Sequence, residues 1–148
     1  MVTLTFKVDG QTYGLDAMQI LEVLPAVPLR NLPQVPEYVS GVFRYRGVTV
    51  PVIDLSRLIA GKTAASLLST RIILVRHPGP SGEGRPLGLL AEHATDLLEN
   101  ASQPEPTGFS SPEAPFLGGV TRTGKMIQYV KVENLLPGEL RERLFVED

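Results

Sequence analysis

Apolar residues take every second position at the start of the chain. Leu4, Phe6 and Val8 alternate with Thr3, Thr5 and Lys7, the period of a half-buried β-strand. Asp9-Gly10 supplies a hairpin turn whose glycine tolerates positive φ, and Gln11 to Leu15 pairs back as a second strand. Asp16 is placed to cap a short helical turn before Ile20-Leu21-Glu22-Val23-Leu24, a third strand closed by a loop punctuated by Pro25, Pro28, Pro33 and Pro36. Val42 to Ile53 is β-branched and apolar, broken at Arg46-Gly47, which predicts two strands meeting at a tight turn. Pro51 has no N–H for a ladder and is expected at an edge or bulge. Asp54 then caps a short helix with Leu55, Leu58 and Ile59 on one face and Gly61 at its end.

The second half of the chain restates the first. Tyr13-Gly14-Leu15-Asp16-Ala17 matches Leu87-Gly88-Leu89-Leu90-Ala91, and Glu22-Val23-Leu24 matches Asp96-Leu97-Leu98, all 74 residues apart. Further on, Tyr38-Val39-Ser40-Gly41-Val42 matches Phe116-Leu117-Gly118-Gly119-Val120 at a spacing of 78, and Arg46-Gly47 matches Thr123-Gly124 at 77. Several matches in one order indicate two copies of one supersecondary unit about an approximate twofold, and short strands at this spacing favour small barrels. Lys62 to Thr70, His77 to Pro86 and Asn100 to Pro115 read as loops, while Leu140 and Leu144 in the 137–145 tail define a closing helix.

Composition narrows the function more by exclusion than by suggestion. The 148 residues fit one domain, with 43% apolar and 20% charged residues, the balance of a soluble globular fold. Fourteen basic against sixteen acidic side chains leave a net charge of -2, which offers no electrostatic footprint for nucleic acid or an anionic membrane. No apolar run approaches the ~20 residues that span a bilayer, and the absence of cysteine removes disulfides, thiolate zinc sites and a cysteine nucleophile.

Catalytic chemistry finds little purchase. His77 borders a Gly/Pro loop and His93 lies within the apolar Leu87 to Leu98 stretch, where it reads as a half-buried ring. Neither has the spacing of a metal pair, and no cofactor is expected. Gly61-Lys62-Thr63 resembles the end of a phosphate loop, but Ser56 replaces the first glycine and Arg57-Leu58-Ile59-Ala60 has helical spacing. It reads as a helix stop; a nucleotide-binding enzyme built on it is the remote rival.

The run from Glu37 to Leu55 carries Gly41-Val42, Arg46-Gly47, Pro51-Val52 and Asp54-Leu55. It resembles the signature of the CheW family, written Gly-Val-x-Asn-Leu-Arg-Gly-x-x-x-Pro-Val-x-Asp-Leu. Tyr13-Gly14-Leu15-Asp16 followed by Ile20, Glu22 and Val23 resembles the family's opening segment. The resemblance implies a mostly β fold: a single CheW-like domain over 1–148, built of two SH3-like five-stranded β-barrel subdomains related by a pseudo-twofold, with short helices and a C-terminal helix. Approximate subdomains are 1–70 and 71–148, and whether they exchange a strand stays open.

It also implies a non-enzymatic cytoplasmic scaffold, recruited to membrane-associated receptor arrays, that couples a methyl-accepting chemoreceptor tip to the regulatory domain of a CheA-type histidine kinase. Carried over by motif, Ile20 stands where the family presents an apolar contact to the kinase. Gly41 and Arg46 stand where changes are associated with receptor coupling, Glu22 and Arg44 join that receptor-facing surface, and Asp54 is a structural cap. Gly41 is also explicable by backbone geometry alone. The family's Asn-Leu is here Arg44-Tyr45, a departure that makes an adaptor for surface-sensing, cyclic-di-GMP or pilus output the alternative reading.

Overall fold

The computed structural model describes residues 1–99, 103–106, 112–121 and 124–145. Nine strands follow in order: β1 (Thr3–Val8), β2 (Gln11–Asp16), β3 (Ile20–Pro25), β4 (Val39–Tyr45), β5 (Val48–Asp54), β6 (Arg71–His77), β7 (Arg85–Leu98), β8 (Leu117–Val120) and β9 (Gln128–Val130). Helix α1 (Leu55–Ala60) follows β5, and α2 (Gly138–Leu144) ends the described chain. The mostly β architecture expected from the sequence is present. Asp9-Gly10 and Arg46-Gly47 both turn with positive φ at each residue, 50° and 78°, then 49° and 79°, the geometry that matches the twist of a two-residue hairpin.

The two sheets do not follow the two halves of the sequence. One lobe contains β3, β4, β5, β6 and the first half of β7; the other contains β1, β2, the second half of β7, β8 and β9. The hairpin β1–β2 thus lies beside β9, while β6–β7 lies beside β5, and the chain passes between lobes after β2 and again within β7. The exchange is reciprocal. Gly14 pairs with Tyr129 in a parallel ladder and Gly88 pairs with Val52 in another. Val23 opposes Ile73 as Leu97 opposes Leu4, so the 74-residue echo reappears as one register used twice.

Among the described residues neither lobe closes by a strand-to-strand ladder. Between β3 and β4 the gap is bridged by Arg30, whose N–H donates to the Val42 carbonyl at 2.8 Å and whose carbonyl accepts from the Val42 N–H at 2.9 Å. Glu105 and Val120 make the same exchange in the other lobe, at 3.0 and 2.9 Å. A glycine precedes each bridged valine because no Cβ fits. A Cβ on Gly41 would lie 2.4 Å from the Arg30 oxygen, and one on Gly119 would lie 2.5 Å from that of Glu105.

Pro51 departs from its expected place. It sits in β5, between β4 and β7, opposite Val42. Because Val42 directs both backbone groups to Arg30, Val42 and Pro51 form a non-hydrogen-bonded pair, and the missing N–H deprives β4 of nothing. Strand β1 is also more buried than simple alternation predicts: Thr3 and Thr5 are enclosed. Their hydroxyls are satisfied by the Tyr129 hydroxyl and the Asp96 carbonyl.

A large core runs between the lobes, drawing on Leu4, Phe6, Leu15, Ile53, Leu55, Ile73, Val75, Leu87 and Leu89, and α2 seals it with Leu140 and Leu144. A smaller cluster of Val50, Ile72 and Leu74 fills the first lobe, with Leu24, Leu29, Phe43, Tyr45 and Leu90 packed on it. Strand β6 serves both, which explains its unbroken apolar run: Ile73 and Val75 face one core, Ile72 and Leu74 the other.

Candidate partner-binding surface

Three side chains converge at the open gap of the first lobe. Glu22 on β3 accepts a hydrogen bond from the Tyr45 hydroxyl at the end of β4, so the contact spans strands that share no ladder. Arg46, the first residue of the β4–β5 turn, brings Nη2 to 3.8 Å from Glu22 Oε2 and sets its guanidinium carbon 5.0 Å from the Tyr45 ring centroid, within cation–π range. The turn dictates this arrangement: positive φ at Arg46 swings its side chain back over the preceding aromatic. The hydrogen bond to Glu22 raises the Tyr45 pKa above its ordinary value, with desolvation adding to the rise and the Arg46 charge opposing it. Arg46 remains 78% exposed at its side chain against 38% for Glu22, so the cation faces solvent more fully than the carboxylate. Arg44 is exposed on the same strand.

Behind Glu22 lies a groove of about 540 Å³ between the lobes, lined by Leu4, Ile20, Glu22, Val23, Arg71 and Leu97 among others. Ile20 is half-buried against the main core. Leu97 is 61% and Val23 40% exposed, and Met18 and Leu21 on the adjoining chain are exposed as well. Large apolar side chains gathered in water mark a contact surface. The structure therefore brings Ile20 and Glu22 into one groove, sets Arg46 beside Glu22, leaves Arg44 exposed on β4 away from the groove lining, and keeps Gly41 apart, buried at the Arg30 bridge. Sequence reasoning missed Val23 and Leu97. They are partners in the 74-residue repeat, and an apolar residue kept on the outer face in both copies was the available signal.

Asp54 lies elsewhere, buried at the start of α1, accepting from the Arg57 N–H at 3.1 Å and the Ala64 N–H at 2.9 Å. Gly61 ends α1 in the left-handed conformation with φ 73°. A phosphate loop would start a helix at Lys62; here Lys62 instead reaches Asp9 at 3.1 Å. It borders a polar cleft of about 610 Å³, whose Ser56 donates to Glu92 at 3.3 Å and whose Lys7 donates to Thr12 at 2.7 Å. Among the described residues no group of three His, Asp or Glu could hold a metal, and no helix is long and apolar enough to cross a membrane.

The histidines differ from expectation. His93 is exposed, with φ 52° at the bend of β7 and Nδ1 3.2 Å from the Ser69 hydroxyl. His77 is fully buried, accepts from the Gly79 N–H through Nδ1 at 2.9 Å and stacks on Phe145. Burial lowers its pKa to about 4, helped by the charge of Arg141 and opposed by Glu133. Thr123, the counterpart of Arg46, and half of the 100–115 stretch lie outside the described residues.

These features define a class, a strand-exchanged pair of SH3-like lobes with an apolar groove and a charged flank. Comparison with known proteins gives the family: the CheW-like domain model matches residues 3–139, and the chain belongs to that family. It is 30% identical over 143 residues to the chemotaxis protein CheW of Rhizobium meliloti, covering 94% of this chain and 89% of that one. It is 30% identical over 126 residues to protein FrzA of Myxococcus xanthus, covering 80% and 73%. The crystal structure of the scaffolding protein TtCheW from Thermoanaerobacter tengcongensis superposes with a TM-score of 0.74 at 28% identity, over 93% of this chain and 89% of that one.

Proposed function

We propose that this chain is a non-enzymatic cytoplasmic adaptor, recruited to receptor arrays, that joins a methyl-accepting chemoreceptor tip to the regulatory domain of a CheA-type histidine kinase. The observation that carries this is the exposed apolar groove between the lobes, lined by Glu22 with Arg46 beside it, in a chain of the CheW-like family. The relatives named chemotaxis protein and scaffolding protein support the same role. Ile20 supplies an apolar contact to the kinase, and Glu22, Arg44 and Arg46 contact the receptor. Since Ile20 and Glu22 line one groove, the two footprints adjoin across β3. Gly41 acts on coupling through the Arg30 bridge, not as a contact.

Binding assays with the receptor tip and kinase regulatory domain of the same genome test the proposal. Ile20→Ala should weaken the kinase complex and Arg46→Ala the receptor complex, each about tenfold, the usual cost of losing one good interface side chain. Unchanged affinities would remove these assignments. A second reading keeps the adaptor but directs it to surface-sensing, cyclic-di-GMP or pilus output. Arg44-Tyr45 in place of Asn-Leu is the feature that favours it, and a deletion strain that swims normally but loses surface motility would support it.

A further inference from the structure

Tyr45 stands out because two placements coincide in it. Its ring packs, edge-on to Phe43 at 6.5 Å between centroids, over the small core of the first lobe. Its hydroxyl leaves that core and crosses the gap to Glu22, 23 residues away in sequence. Arg46 then lies over the ring and beside the same carboxylate oxygen. A carboxylate that accepts from a phenol and has a guanidinium 3.8 Å away is held in place with its negative charge partly offset. The most exposed charge at this flank is that of Arg46, whose side chain is 78% exposed against 38% for Glu22.

We propose that Tyr45 sets partner specificity at the receptor-facing flank: by tying Glu22 to the wall of the lobe it leaves a net positive surface, which selects a receptor tip that presents an acidic side chain. This rests on the adaptor reading above. A leucine at position 45, as in the family signature, has no donor, and Glu22, left with only the 3.8 Å approach of Arg46, would be free to turn into the groove as an anion repelling such a partner. Tyr45 is a positioning residue, acting through Glu22 and Arg46.

Tyr45→Phe keeps the ring and deletes the donor. Isothermal titration with the receptor tip of the same genome should show affinity lowered about fivefold or more, the scale of one charged hydrogen bond. Affinity for the kinase regulatory domain and the thermal midpoint should change little. In a Glu22→Gln background the same substitution should have almost no effect, because the group it positions has lost its charge. A tip whose acidic side chains are replaced by amides should bind wild type and Tyr45→Phe alike. Independently of any partner, NMR titration should show the Tyr45 phenol ionising at lower pH in Glu22→Gln than in wild type.

An equal loss in both backgrounds, an unchanged receptor affinity or a phenol titration indifferent to Glu22→Gln overturns the proposal and leaves the adaptor reading standing. A wild-type chain that binds no receptor tip overturns both.

Discussion

After β5 the first lobe winds a helix over Leu55–Ala60, whereas after β9 the second manages a single 3-10 turn over Val132–Asn134. The residues at the two entrances, Asp54 and Lys131, occupy matching places in the repeat, 77 apart. Asp54 accepts two backbone N–H groups, while Lys131 makes no side-chain capping bond. A second contrast lies between the second and third strands. In the first copy the passage is cut by Asp16, which caps the turn at Ala17–Gln19 by accepting from Met18. In the other copy Leu90 stands in place of Asp16 and β7 runs on for 14 residues, bent at His93. Pairing and register are common to the lobes; caps and turns are not. The charged flank sits in the lobe whose helix carries the Asp54 cap.

Substitutions at the two bridging glycines test this shared plan and carry the largest expected effects. Gly41→Ala must relieve both the 2.4 Å approach to Arg30 and a φ of 143°. A loss of about 3–4 kcal/mol in denaturant unfolding is expected. Gly119→Ala faces the clash without the positive φ and should lose about 2 kcal/mol. Equal, small losses at both would break the equivalence.

The histidines come next. His77, with its folded pKa near 4, binds a proton less readily than in the unfolded chain, where the value is about 6.5. Stability is therefore full above pH 6.5, falls as the pH drops toward 4, and levels off below that. The loss at this site is about 3 kcal/mol, and His77→Gln should remove that slope whatever its effect at neutral pH. An unaltered slope would show that other groups govern acid unfolding.

Smaller effects attend the caps. Asp54→Ala should lose about 1–2 kcal/mol, and Lys131→Asp should gain about 0.5 kcal/mol by giving the second lobe the cap it lacks. Thermal midpoints read both. Arg46→Ala, at an exposed turn, should change stability by less than about 0.5 kcal/mol, so that any receptor-binding defect belongs to the surface itself.

Much of the scaffold was legible before the structure. Leu4, Phe6 and Val8, the Asp9-Gly10 and Arg46-Gly47 turns and the Asp54 cap are local signals with local causes, and the repeat marked two units. The exchange of hairpins was not legible, because the unbroken apolar run Ile72 to Val75 says that a strand is buried on both faces but not which strands flank it. The same holds for the site. Arg46 and Glu22 were named from motif, yet the Tyr45 link depends on β3 and β4 curling together through Arg30. His77 gave no sign either: the ring stacked on it is Phe145, just past α2 and nearly 70 residues further along.

The most direct measurement of the adaptor claim mixes the purified chain with the receptor tip and the kinase regulatory domain and follows complex formation by size-exclusion chromatography with light scattering. One complex containing all three components, reduced to the chain and kinase domain alone by Arg46→Ala, is the predicted result. Failure of either partner to bind, or mutual displacement of the two, would contradict it.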